Sequence, residues 1–366
     1  MRELSAAVAT AIERCERPSL VYDLARIDAN LAALSGAARQ AGVTALFAAK
    51  SFPHPAVHAL AASHLAGFDV ASPAEVAIVA ERAPHAMLSV ADPSGLAIAA
   101  ASRWRGRLVV SCETVSQVEA APRHAEIAIR LSASLTAGDP AIGAILDGSG
   151  HRRSRFGLDV DPATLAASIA ALARAARPRA VGLHLHHGPV AASSADRFVA
   201  TATAALAAAA AAGVEPGFLD LGGAWHAVAD LPRTLLAIRA AVPAALEICI
   251  EPGRWIARGA GFACGRVAVA RELDDRALRV LELSRICHLR WSQPVLLAPA
   301  PRPGAGRATV FAGPTCYEDD VLGDWIVEPA WFPAGAQVVL GNITGYALAW
   351  NTGFGGVAPA DVVVVG

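Results

Sequence analysis

The sequence predicts an α/β fold in two parts: a closed (β/α)8 TIM barrel, then a C-terminal all-β domain that also takes the N-terminal strand. Three observations carry this. About eight apolar runs of strand length alternate with helical patterns over roughly 230 residues, the rhythm of a closed barrel more than of an open sheet. After Glu251-Pro252-Gly253-Arg254 the texture changes to strand-like runs broken by Pro/Gly turns, with helical periodicity nearly gone. A short extended stretch, Ser19-Leu-Val-Tyr22, stands ahead of the first barrel helix.

Taken in order, Asp23 is a candidate cap for a helix over 24–41, which Gly42 ends. Strands follow near 43–49, 67–70, 86–90, 107–111, 125–131, 180–185, 217–221 and 246–250. Helical patterns at 73–81, 162–176, 195–212 and 231–241 fall between them, and another helix follows the Ser51-Phe52-Pro53 break. Strand-like runs then lie at 265–270, 277–283, 294–297, 309–312, 337–340 and 362–365. The sequence boundaries are therefore 24–257 for the barrel and 1–23 with 258–366 for the β-domain.

Composition narrows the function classes. A net charge of −1 and a pI near 6.8 give no electrostatic case for nucleic acid or an anionic membrane. The mean hydropathy of +0.42 comes mostly from alanine. The Ala-rich run at 200–212 has high helix propensity and little transfer energy, so it reads as a packed helix and not a membrane span. The first residues lack the apolar core of a secretory signal. The six cysteines are scattered without a C-x-x-C pair, which fits free thiols in a reducing cytoplasm and argues against zinc.

Of the 31 Lys+Arg residues, one is lysine: Lys50, at the end of the apolar run Ala45-Leu-Phe-Ala-Ala. Arginine can replace lysine in most surface work, but a guanidinium stays protonated and cannot form a Schiff base. Strand C-termini are where parallel α/β folds meet ligands. Further motifs end on such positions. Gly182-Leu-His184-Leu-His186-His187-Gly188 gathers three histidines; Leu219-Asp220-Leu221-Gly222-Gly223-Ala224 offers paired glycines whose N–H groups can approach a phosphate; Ile250-Glu251-Pro252-Gly253-Arg254 joins a carboxylate to a guanidinium. In the β-domain, Gly313-Pro314-Thr315-Cys316-Tyr317-Glu318-Asp319-Asp320 sets a thiol in an acidic turn, and Gly341 through Phe354 supplies the phenol Tyr346.

In this order the set resembles the fold-type III pyridoxal-phosphate (PLP) decarboxylases, the ornithine/diaminopimelate/arginine decarboxylase group, whose fold is like that of alanine racemase. The resemblance runs from Val21-Tyr22 to Phe354-Gly355. It implies that Lys50 holds pyridoxal 5'-phosphate covalently, with Asp69 and Glu75 the acid pair beside the cofactor and His186 stacked on its ring. Gly222, Gly223, Gly253, Arg254 and Tyr346 would hold the phosphate, and Glu251 the pyridine nitrogen. Ser154-Arg155-Phe156-Gly157 is similar to the family's Ser-Lys-Phe-Gly. The chain departs from the pattern in three places: Pro189 replaces the serine after His-x-Gly and has no N–H to donate, Ala224 replaces a third glycine, and Gly355 replaces an asparagine.

The resemblance further implies loss of the α-carboxylate of an amino acid or conjugate as CO2, in polyamine, lysine, or siderophore and other secondary-metabolite biosynthesis. A carboxylate at the pyridine nitrogen keeps it protonated and deepens the electron sink. An arginine there, as in alanine racemase, would favour racemisation. An amino-acid racemase or epimerase and a non-catalytic regulatory protein on the same fold are the alternative readings. Cys316, donated by the second subunit of a homodimer, would protonate the Cα carbanion. In the amine-forming relatives the residue after this cysteine is acidic and reads a distal ammonium; here it is Tyr317. The expectation is a substrate whose distal end carries a carboxylate met by Arg285, His288 or Arg290, with Asp320 and Glu318 the residues that would bind an amine instead.

Overall fold

The structure, a computed structural model, describes residues 4–136, 154–159, 161–186, 195–301 and 306–366. The motif positions His187, Gly188 and Pro189 lie outside the described residues. The chain packs as two compact units. One comprises Leu31–Lys50 and His58–Trp255; the other comprises residues up to Asn30, Ser51–Val57 and Ile256–Gly366. The sequence boundaries differ from this division at 24–30, 51–57 and 256–257, which group with the second unit.

Helix α1 (Ala6–Glu13), strand β1 (Ser19–Asp23) and helix α2 (Leu24–Ala41) open the chain. Ser5 caps α1, its hydroxyl accepting from the Val8 N–H; Asp23 caps α2, its Oδ1 accepting from the Arg26 N–H at 3.0 Å. Gly42 ends α2 at φ +64°, a left-handed conformation that glycine adopts without steric cost.

Eight parallel strands then close a barrel: β2 (Val43–Ala48), β3 (Gly67–Val70), β4 (Met87–Val90), β5 (Leu108–Cys112), β6 (Glu126–Leu131), β7 (Val181–Leu185), β8 (Phe218–Asp220) and β9 (Glu247–Ile250), with β9 pairing back to β2. The described helices around them are α3 (Pro55–His64), α4 (Pro73–Arg82), α5 (Leu96–Ala100), α6 (Val115–Ala120), α7 (Pro162–Ala176), α8 (Ala195–Ala211) and α9 (Leu231–Ala241). The Ala-rich α8 buries Phe198, Thr201, Ala202, Ala205 and Ala209, the three-to-four spacing of one packed helix face. No helix among the described residues is long and apolar enough to cross a membrane.

Leu46, Met87, Val109, Ala128, Phe218 and Cys249 fill the barrel interior as one cluster. Nearer the strand N-termini Arg107 binds two carboxylates, with Nε 2.8 Å from Glu126 and Nη1 2.7 Å from Glu247, and Thr44 adds a hydroxyl to Glu247 at 3.1 Å. This end is tied by ion pairs, which leaves the opposite mouth for chemistry.

The second unit is a β-sheet in the order β12–β15–β10–β11–β13–β14: β10 (Gly261–Glu272), β11 (Ala277–Leu281), β12 (Val295–Ala298), β13 (Arg307–Ala312), β14 (Val321–Val327) and β15 (Gln337–Gly341). Strand β1 joins it antiparallel to β10 and parallel to β16 (Asp361–Val365), so the N-terminal strand does belong here. Helix α10 (Tyr346–Ala349) follows β15. Strand β14 was absent from the sequence expectation, because Gly323 and Asp324 interrupt its apolar run.

Candidate active site

The C-terminal mouth of the barrel collects the polar groups. Lys50 lies in a one-turn 3-10 segment (Ala49–Ser51) just past β2, and its Nζ donates to Oδ2 of Asp69 on β3, with which it forms an ion pair. Lys50 is partly exposed, Asp69 is buried, and Oδ1 of Asp69 has no hydrogen-bond partner. A buried acceptor without a donor is costly and marks a place for a further donor.

Glu75, expected beside the cofactor with Asp69, has a second task. It folds back over the start of α4, where its carboxylate accepts from the Ala71 N–H at 2.9 Å and the Ser72 hydroxyl at 3.2 Å, while Ser72 Oγ caps the Glu75 N–H. Burial raises its pKa, opposed by the Ala71 hydrogen bond and by the charge of Lys50. Glu75 therefore sits within the electrostatic reach of Lys50 but is spent on the helix start.

Glu251, at the end of β9, is buried at 4 % exposure. Its Oε1 accepts from Ser89 Oγ at 3.3 Å, and its Oε2 lies 3.8 Å from His184 Nε2. Burial raises its pKa well above the usual carboxylate range, and the neighbouring carboxyls of Asp220 and Asp69 push the same way. Asp220, on β8, is pushed up to about 7, chiefly by burial, although its Oδ1 accepts from the Gly222 N–H at 2.8 Å. His184 is held neutral: burial, then Arg130, His186 and Lys50, lower its pKa.

The paired glycines behave differently from the expectation. Their N–H groups do not point to a free anion: Gly222 N–H donates to Asp220 and Gly223 N–H to His186 Nδ1 at 2.9 Å. What the glycines provide is close approach to the imidazole. A Cβ on Gly222, at φ +62°, would stand 2.7 Å from His186 Nδ1, and one on Gly223 2.8 Å from His186 Cε1. Gly253 and Arg254 follow Glu251, with Arg254 half-buried at the start of a 3-10 turn (Arg254–Ala257). Phe156 of the Ser-Arg-Phe-Gly motif has the guanidiniums of Arg155 and Arg130 at 3.8 and 4.6 Å from its ring centroid.

The β-unit carries the remaining expected residues. Cys316 and Tyr317 are exposed in the turn between β13 and β14, and the Tyr317 ring packs 5.3 Å from that of Phe354. Tyr346, at the start of α10, meets Trp291 edge-on at 5.0 Å. Arg285 and Arg290 are exposed, the latter 4.5 Å from the Trp350 ring centroid. Two expected substrate residues are structural instead. Asp320, 2 % exposed, accepts from Ser284 Oγ, from the N–H groups of Arg285 and Thr315, and from Thr315 Oγ1. That set of donors consumes both carboxylate oxygens, so an amine finds no acceptor there. His288 is fully buried; its Nδ1 accepts from the Ser284 N–H at 3.0 Å, so Nε2 carries the proton and donates to Ala358 O at 2.9 Å. Neither ring nitrogen is left for a carboxylate.

A family model described as "Pyridoxal-dependent decarboxylase, pyridoxal binding domain" matches residues 24–258. The chain belongs to this decarboxylase family. It is by that membership a PLP-dependent amino-acid decarboxylase. Among solved structures it is similar to the lysine/ornithine decarboxylase of Vibrio vulnificus complexed with putrescine, at 20% identity and TM-score 0.75, covering 98% of this chain and 97% of that one. The Paramecium bursaria Chlorella virus arginine decarboxylase bound to agmatine gives 17% identity and TM-score 0.78, over 98% and 99% of the two chains. Lysine decarboxylase of Selenomonas ruminantium, in complex with PLP and cadaverine, gives 19% and 0.75, over 100% and 94%. At these identities the likeness is one of fold. No curated protein matches the chain.

The residues of this decarboxylase suit the cofactor. A cradle made by Gly222 and Gly223 admits the His186 ring where any Cβ would collide. Asp69 keeps a buried acceptor without a donor beside the chain's one lysine. Glu251 is a buried acid that a cationic N–H would stabilise. Sequence reasoning did not single out Ser89, Ser111, His184 and Asp220 as a group; the available signal was a polar residue near the end of each of four apolar strands.

Proposed function

We propose that this enzyme removes the α-carboxylate of an amino acid or amino-acid conjugate to give an amine and CO2, working as a homodimer with shared active sites. The observation that carries the reading is the chain's single lysine ion-paired with buried Asp69 in the barrel that also ends its β9 strand on buried Glu251. When bound, pyridoxal phosphate supplies the sink for the electron pair left at Cα as CO2 departs.

The chain's own residues then divide the work. Lys50 Nζ would hold the cofactor covalently, with Asp69 orienting that nitrogen. His186, fixed by the Gly223 N–H, would stack on the cofactor ring. Glu251 would hold a proton at the ring nitrogen. Gly253 and Arg254 would meet the phosphate, with Gly222 and Gly223 acting through their lack of side chains. Cys316 of the partner subunit, an exposed thiol here, delivers the proton to Cα. Tyr317 at the following position, with Arg285 and Arg290 exposed in the same unit, supports a substrate whose distal end is a carboxylate and not a simple ammonium.

The test is spectroscopic first. Purified protein with added PLP should show the visible band of lysine-bound cofactor, and borohydride should fix the cofactor mass on Lys50; Lys50→Ala and Lys50→Arg should show neither, since no other lysine can stand in. A wild type that takes up no PLP sinks the reading. Product analysis should then find CO2 and amine, not inverted substrate. In a panel of ornithine, lysine, meso-diaminopimelate and carboxylate-bearing conjugates, selective turnover of a plain diamino acid would overturn the substrate assignment alone. Mixing Lys50→Ala with Cys316→Ala protein should restore about a quarter of wild-type activity if sites are shared in a two-fold dimer. No restoration argues for self-contained sites.

A further inference from the structure

Glu251 is backed by a chain of polar side chains that the reading above does not use. His184 is buried at the end of β7. Its Nδ1 lies 2.7 Å from Ser111 Oγ on β5, while its Nε2 is buried, has no hydrogen-bond partner and lies 3.8 Å from Glu251 Oε2. The other Glu251 oxygen already accepts from Ser89. We propose that Ser111 and His184 are positioning residues for Glu251: Ser111 donates to Nδ1, this fixes the tautomer with Nε2–H towards Glu251, and that N–H keeps Glu251 a carboxylate aimed at the cofactor's ring nitrogen. The inference rests on the role given to Glu251 in the proposed function.

The surroundings favour this direction of the hydrogen bonds. A neutral imidazole has one donor and one acceptor nitrogen, and the partner of one fixes the other. The acids facing His184 are Asp220 on its hydrogen-bonded neighbour β8 and Glu251 past β9, a ring nitrogen and one oxygen of each lying within 4.8 Å of one another; the cations near it are Lys50 and Arg130 on the other neighbour β6, with the titratable His186. The N–H edge is the one that an acid-rich wall attracts. The 3.8 Å gap closes to a hydrogen bond with a ring movement of about 1 Å. Without a donor at Oε2, burial and the two neighbouring carboxyls would keep Glu251 protonated, and a protonated acid cannot hold a cationic N–H. The opposite tautomer would present a lone pair to Glu251 and stabilise that protonated form.

The holoenzyme is prepared with PLP isotopically labelled at the ring nitrogen, and the nitrogen signal is read by NMR at neutral pH. Wild type should show a protonated ring nitrogen. His184→Leu and Ser111→Ala should lower the ratio of protonated to neutral nitrogen by about tenfold, the worth of one hydrogen bond to a charged group. His184→Gln, whose amide retains an N–H at the matching reach, should restore most of the wild-type signal. A wild type with an unprotonated nitrogen overturns the role of Glu251 itself. A protonated wild type with unchanged Ser111→Ala overturns the relay alone, and this variant decides the matter if His184→Leu does not fold. Failure of His184→Gln to rescue also overturns it.

Discussion

Ala224 shows what a single departure costs. It follows the Gly222-Gly223 pair and stands at φ +73°, a region where a Cβ crowds the following carbonyl. It is held there as the residue before the 3-10 turn Trp225–Ala227, where Trp225 is pinned by a hydrogen bond from Nε1 to Gly222 O at 2.7 Å and by stacking on Phe198 at 4.1 Å between centroids. Relief of the strain is worth about 1–2 kcal/mol, less up to about 1 kcal/mol for the looser unfolded chain. Ala224→Gly should therefore raise stability by about 0.5–1 kcal/mol in urea unfolding with no change of m-value. A loss of stability would mean that the alanine methyl has a packing role outweighing its backbone.

At the scale of elements, the turn joining β13 to β14 is held as one piece by Asp320. Its carboxylate gathers the Thr315 side of that turn and the Ser284–Arg285 segment after β11, so it fixes where Cys316 and Tyr317 are presented. Asp320→Ala should cost about 3 kcal/mol or more of stability, because several buried donors lose their acceptor together. It should also reduce turnover through misplacement of Cys316. Asp320→Asn, which keeps part of the acceptor set, should recover part of both. If Asp320→Ala instead raises KM for an amine-bearing substrate with stability unchanged, Asp320 binds substrate and the structural role is wrong.

For the whole molecule, the barrel mouth makes stability depend on pH. Asp220 is raised to about 7 in the folded protein, and Glu251 is raised as well. An unfolded chain gives up those protons near pH 4. Between about pH 4 and pH 7 these two groups thus hold more protons in the folded state than in the unfolded one, and their contribution to stability falls as pH rises; buried His184 and His288, whose pKa values burial lowers, work against it below about pH 6.5. In cofactor-free protein the melting temperature of wild type relative to Asp220→Asn should therefore be higher at the acid end of the window than above it. Melting profiles of wild type and Asp220→Asn that stay parallel from pH 5 to pH 8 would contradict this.

The same scale shows what could be read without coordinates. The barrel strands were legible because each is an apolar run ending at a Gly, Pro or polar break, and helices such as Pro162–Ala176 and Leu231–Ala241 because proline or a capping acid marks their starts. Lys50 stood out through composition alone. The lost detail is relational. Nothing local in Ser284-Arg285-Ile-Cys-His288 says that His288 spends both ring nitrogens on the backbone, one of them on Ala358, 70 residues away. Likewise Ser89, Ser111 and His184 become a group with Glu251 only when β4, β5, β7 and β9 close into one barrel. Helix α1 passed unnoticed because its alanines carry little periodic signal.

The ion pair of Lys50 with Asp69 has a practical consequence for measurement. Apart from the α-amino group, Lys50 holds the only primary amine in the chain, and it is partly open to solvent. On the role proposed for Lys50, a reagent that modifies lysine ε-amines is therefore an active-site reagent for this protein. Acylation, reductive alkylation or fluorescent tagging would count one reactive ε-amine per chain, and protection by PLP would titrate occupied sites directly. On the same proposal, immobilisation or crosslinking through lysine should inactivate the enzyme, and attachment through Cys316 should do so only if that thiol has the role proposed for it.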